Sequence, residues 1–172
     1  MEIIQPVCKN CGTVLDTINF TAEMTEQWTW NGDSWECLEF ETSQVQLPLL
    51  NTSGYLQGTY ANVYKMSGNR ATYKSGDPNN FVHSPYTEDF DEVNVYYHIT
   101  KFRQDFINNL YTPSFNQANV SIGWNLSERK SYYDPSFDII YFNNGVPTDP
   151  NFSREANVIY HEFVHKVQLN RT

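Results

Sequence analysis

The run His161-Glu162-Phe163-Val164-His165 constrains this chain more than any other feature. Histidines at i and i+4 share a face only on an α-helix, where such residues stand about 5–6 Å apart. The neighbours agree with a helix. Val158, Ile159, Phe163, Val164 and Val167 surround the polar trio at helical spacing, and nothing breaks the segment between Ala156 and Leu169. Ser153 or Asp149 offers a cap. The pattern predicts a helix buried in a cleft with His161, Glu162 and His165 facing inward, an arrangement that is costly unless those groups have a partner.

Two imidazoles on one helix face can converge on one ion. Zinc takes imidazole nitrogen at about 2.0–2.1 Å and, in a catalytic site, keeps a position open for water. Glu162, beside the first histidine, stands where a carboxylate can accept a proton from that water and return it to a leaving amine. His161 and His165 are therefore candidate zinc ligands, and Glu162 is the candidate catalytic base.

The rest of the chain supplies a scaffold. Of 172 residues, 40% are hydrophobic, enough for a packed core, and 16% are aromatic, which favours sheets over a helical bundle. Eleven Lys and Arg against 20 Asp and Glu give a net charge of −9, which argues against nucleic acid as a partner. No stretch approaches the ~18 apolar residues of a membrane span, so no membrane partner is expected. The first residues, Met1 to Cys8, lack the basic and apolar regions of a signal peptide.

Alternating apolar residues around Asn31-Gly32, with Trp28, Trp30 and Trp35, predict a β-hairpin over roughly Met24 to Phe40. Cross-strand packing accounts for the three tryptophans more simply than a ligand platform. Cys8 and Cys11 form a lone C-x-x-C, with Cys37 the only other thiol and His83 a remote fourth donor. That is an incomplete zinc set, so a local disulfide or free thiols are the expected state. Short apolar runs from Gln44 to Tyr64 read as strand, turn and strand, the second from Tyr55 to Tyr64. Lys65 to Ser84 reads as a long exposed loop.

A second helix begins near Thr87 or Asp89 and carries Val95, Ile99, Phe102, Phe106 and Leu110 as one apolar stripe up to Pro113. His98 lies within it as a packed or surface histidine. Strands are expected over Ala118 to Trp124, Ser131 to Tyr133 and Asp138 to Phe142. The expected class is α+β: residues 1–45 form a β-hairpin appendage with the C-x-x-C, and residues 46–172 form the main unit.

The segment Ala156 to His165 resembles the active-site helix of thermolysin-like and fungalysin-like zinc metallopeptidases, the gluzincins. Phe90 to His98 resembles the long helix that precedes it in those enzymes. Ser131 to Pro135 and Ile139 to Gly145 resemble their substrate-side edge strand and the strand after it. The resemblance spans roughly Leu47 to Thr172 and implies a zincin-like N-terminal subdomain. It also implies zinc on His161 and His165, catalysis by Glu162, a polypeptide substrate and a secreted or extracellular setting. The backbone of Lys130, Ser131 and Tyr132 would pair with an extended substrate at a sheet edge.

Two departures accompany the resemblance. Lys166 follows the second histidine where such motifs carry an uncharged residue. Gluzincins draw a third ligand from a glutamate on a later helix, so the expectation is a truncated catalytic domain whose partner is the missing C-terminal half. The longer H-E-x-x-H-x-x-G-x-x-H form is excluded by Gln168 and Arg171. A competing expectation is non-catalytic: an aromatic-rich β module with a degenerate or structural zinc site.

Overall fold

Four short strands build the main sheet, and their register decides which face the helices cover. A computed structural model describes residues 24–30, 35–42, 45–73, 80–84, 87–110, 113–123, 130–143 and 151–170. Strands β1 (Met24–Trp30) and β2 (Trp35–Thr42) pair antiparallel, with Trp30 opposite Trp35 and an irregularity between Thr25 and Gln27. This is the hairpin expected from sequence. Its turn, and Cys8 and Cys11, lie outside the described residues.

The main sheet contains β3 (Ala61–Lys65), β4 (Ala118–Ile122), β5 (Tyr132–Asp134) and β6 (Ile139–Phe142). Its order is β3-β4-β6-β5. The β3/β4 and β4/β6 pairs are parallel, and β5 runs antiparallel to β6 at one edge. A parallel pair needs a crossover, and helix α1 (Glu88–Phe102) lies in the one between β3 and β4. The architecture is mixed α and β, consistent with α+β.

Register aligns Val63, Val120 and Ile140 in one row and Ile122 with Phe142 in the next. Because side chains alternate along a strand, these rows share one apolar face. Helix α1 and helix α3 (Ala156–Leu169) pack there and against each other. Tyr96, Ile99, Ile159, Phe163 and Val167 close the core beneath them. Burying each large apolar side chain contributes about 1.5–3 kcal/mol. The other face is more polar: Asn62 Nδ2 donates to Asn119 Oδ1 at 3.1 Å.

Three local expectations need correction. The strand expected over Tyr55 to Tyr64 is confined to Ala61–Lys65, with only isolated bridges before it, such as Leu50 with Gly58. The segment read as an exposed loop buries Ala71 and Phe81, each 1% exposed. Ala71 is held by its N–H, which donates to Glu92 Oε1 at 2.9 Å. The apolar stripe of α1 also ends early. A π-helical turn, Arg103–Ile107, leads into the short helix α2 (Asn108–Leu110). Its wider spacing advances the phase by about one residue. Ile107 therefore turns inward, while Phe106 and Leu110 are 51% and 64% exposed.

Helix α1 is buried nearly all round, so its polar residues need partners. Thr87 occupies its N-cap position but donates Oγ to Ser84 O at 2.8 Å instead of capping the helix. Glu88, Asp89 and Asp91 in the first turn complement the helix dipole. No helix among the described residues is long and apolar enough to cross a membrane.

Candidate functional site

Helix α3 spans Ala156–Leu169, the bounds expected from its apolar period. Ser153 does not cap it, and Asp149 lies outside the described residues. Glu155 holds the N-cap position without a side-chain cap bond, and the polar work is done one turn earlier. There a 3-10 turn, Phe152–Arg154, is capped by Asn151, whose Oδ1 accepts the Ser153 N–H at 3.0 Å. Asn151 Nδ2 donates to Asp91 Oδ2 at 3.0 Å, and Arg154 Nε donates to Asp91 Oδ1 at 2.6 Å. Asn94 Nδ2 donates to Ser153 O at 3.0 Å. The polar side of α1 thus fixes where α3 begins. Burial raises the Asp91 carboxyl above its usual range, opposed by Arg154 and Asn151.

The two sides of α3 differ from the expected arrangement. The core takes Ile159, Phe163, Lys166 and Val167, with the Phe163 ring edge-on to Phe102 at 6.3 Å and to Phe115 at 6.1 Å. His161 and His165 do not face inward; both are exposed. Phe163 and Val167 supply the apolar surface the sheet requires, which leaves the histidines on the open side. Their Nε2 atoms stand 3.0 Å apart, with the rings perpendicular and their centroids 4.5 Å apart.

That spacing tests the fit of a metal. Two nitrogens at about 2.0–2.1 Å from one ion, at tetrahedral angles, lie about 3.3 Å apart. The imidazole pair is within a few tenths of an ångström of that geometry, so these residues fit as two of an ion's donors. Among the described residues, no group of three or more His, Cys, Asp or Glu comes together to hold a metal. His83 lies elsewhere, its Nδ1 3.4 Å from Asp89.

Glu162 is only 8% exposed. Its carboxyl accepts the backbone N–H of Tyr133 on the edge strand. Burial pushes this carboxyl above its usual range, while His161, His165 and the Tyr133 N–H pull it back. A cleft of about 450 Å³ opens beside it, with Lys130 and Ser131 on the edge-strand side. Phe152, Asn157, Val158, His161 and Glu162 line the other side.

The structure therefore brings Lys130, Ser131, His161 and Glu162 to one cleft, with His165 beside His161. Tyr132 sits one register position away from the helix-facing Tyr133, and its ring packs on Tyr141 with centroids 5.2 Å apart. Sequence reasoning did not single out Phe152 or Asn157, and it read Val158 only as part of the apolar surround of the polar trio. As cleft-lining residues all three are new: Phe152, Asn157 and Val158. The last two precede His161 by four and three residues, so helical spacing alone places them near it. Phe152 is brought in by the 3-10 turn, which leaves no periodic signal.

Behind the histidines, His98 of α1 is 1% exposed, a packed histidine. Its Nδ1 lies 2.8 Å from the Tyr160 hydroxyl, and Tyr160 stacks on Phe102 at 4.6 Å. Burial lowers its pKa to about 4, so the ring is neutral at pH 7. Lys166 is fully buried against Asp138, its ammonium 4.5 Å from the Phe115 ring centroid. Burial pulls that ammonium below its usual range, and Asp138 opposes the change. No protein-family model matches this chain, and no curated protein matches it.

Proposed function

We propose that this chain carries the zinc helix and the substrate-side edge of a metalloendopeptidase, with the main unit a zincin-like N-terminal subdomain. One observation carries the reading. His161 and His165 present two Nε2 atoms 3.0 Å apart on the open side of α3, and His161 and Glu162 line a cleft bordered by Lys130 and Ser131. The sequence resemblance to gluzincins supports the same assignment.

In this reading His161 and His165 hold zinc, which when bound polarises a peptide carbonyl and lowers the pKa of a water. Glu162 takes the proton from the attacking water and delivers it to the departing amine. The Tyr133 N–H holds the Glu162 carboxylate toward the edge strand. The backbone of Lys130, Ser131 and Tyr132 aligns an extended polypeptide by β-augmentation. A third protein ligand, a glutamate by the resemblance, comes from outside the described residues. The setting is secreted or extracellular on the same ground.

The test is hydrolysis of labelled casein by the zinc-supplemented full chain. Any zinc-dependent cleavage is expected to fall at least ~100-fold in Glu162→Gln, the scale of a lost general base. Robust cleavage that is unchanged in Glu162→Gln would contradict the mechanism.

A further inference from the structure

Lys166 has no role in the proposed chemistry, yet its side chain is fully buried. Leaving a cation inside a protein is costly unless it is well paired. Its ammonium meets Asp138, and it also lies over the Phe115 and Tyr133 rings at 4.5 and 5.4 Å. Asp138 ends the turn between β5 and β6 at φ +55°, a conformation that Asp tolerates better than most residues. Its Oδ1 also accepts the Tyr133 hydroxyl at 2.7 Å, and Asn170 Nδ2 donates to that hydroxyl at 3.3 Å.

Four residues from two elements therefore close on one point. Lys166 and Asn170 come from α3 and its C-terminal end, while Tyr133 and Asp138 come from the edge hairpin. The same Tyr133 gives its backbone N–H to Glu162. The hairpin is thus bound to α3 at the Tyr133 side chain, and its backbone reaches the carboxylate next to His161.

We propose that Lys166 and Asp138 form a clamp that sets the edge strand against helix α3, making Lys166 a positioning residue for Glu162 and for the strand that would receive substrate. The clamp gives the charged residue after the second histidine a reason to be there. Its significance for peptide alignment rests on the metalloendopeptidase reading; the clamp itself does not.

Amide hydrogen exchange on the full chain tests it without metal or turnover. Lys166→Met, which keeps the length and removes the charge, is expected to speed exchange at the Tyr133 amide at least tenfold relative to Val120 in β4. Asp138→Asn should do the same, and the double variant should be no faster than either single one, as for two halves of one interaction. The Glu162 side-chain carboxyl carbon resonance should move in each variant, a signature that general loss of stability does not produce in the folded state. Tyr133→Phe removes only the phenolic hydroxyl. It provides the readout if a clamp variant fails to fold, with an expected increase at Tyr133 of at least about threefold on loss of the hydroxyl's two hydrogen bonds. Exchange at Tyr133 that is unchanged, or that rises only in step with Val120, would overturn the clamp. Absence of zinc binding would overturn the metalloendopeptidase reading and leave the exchange result intact.

Discussion

Gly58→Ala is expected to destabilise the chain by at least ~3 kcal/mol, at the upper end of overpacking costs. A Cβ at this position would lie 2.1 Å from the Leu49 carbonyl oxygen and 2.2 Å from the Tyr96 hydroxyl. Neither neighbour is free to move. Leu49 O accepts the Thr59 N–H at 3.2 Å, and Leu49 itself sits at φ +58°. The Tyr96 hydroxyl donates to Pro48 O at 2.8 Å, from a fully buried ring in the core. A methyl group would drive the 47–50 segment away from α1. For a chain of this length the loss corresponds to a fall of about 6–12 °C in Tm. Gly68→Ala is the control: nothing lies within 4 Å of its Cβ, and φ +86° is the only obstacle. Its expected cost is about 1–2 kcal/mol. Equal midpoints for Gly58→Ala and the unmodified chain in a thermal melt would rule out the close approach.

Between pH 4.5 and 6.5 the stability of the unmodified chain is expected to change little, because two buried groups on α1 oppose each other. Burial lowers His98 to about 4, so the unfolded chain binds a proton there that the folded chain refuses. Stability from this source is lost as pH falls below 6.5. Burial raises Glu92 to about 7 despite the Ala71 N–H, Lys65 and Arg70, so the folded chain keeps a proton that the unfolded chain releases. Stability from this source is lost as pH rises above 4.5. Each slope is about 1.4 kcal/mol per pH unit, with opposite sign. Asp91, also raised, acts on the Glu92 side from lower pH.

Glu92→Gln should therefore expose the His98 dependence, with a loss of ~2 kcal/mol on going from pH 6.5 to 4.5. His98→Asn should tilt the other way by a similar amount. Urea midpoints at the two pH values measure both. Parallel pH profiles for the two variants would show that these groups do not titrate as their burial demands.

Helix α3 could be bounded from the sequence because Ile159, Phe163 and Val167 keep a helical period and no breaker interrupts it. The first half of α1 was legible for the same reason. Its second half was not, since the π-helical turn at Arg103–Ile107 carries no residue that marks it, and one inserted position moves Ile107 in and Phe106 out. Ala71 and Phe81 are single apolar residues in polar surroundings, without a period that could reveal their burial. The strand order depends on pairings between distant segments, which local propensity does not encode.

At the candidate site, the H-E-x-x-H run identified the histidine pair and Glu162, but not which way the histidines face. That direction is set by the side of α3 that the sheet covers. Lys166 read as a departure from a motif because its partner, Asp138, stands 28 residues away in a turn. Phe152 stands only nine residues before His161, and the 3-10 turn that carries it hides it from any reading of helix faces. Sequence spacing captured what lies within one helix, and the contacts between α3, α1 and the edge hairpin required the fold.

If His161 and His165 act together on one metal ion, calorimetric titration of zinc into the full chain reads that pairing without any turnover. The expected result is one zinc per chain at this site. His161→Ala and His165→Ala should each weaken binding at least ~100-fold, since even outer partners of a metal site are worth about 10–100-fold. Cys8→Ser with Cys11→Ser should leave that binding in place. Zinc binding unaffected by either histidine substitution, or no binding at all, would contradict the account.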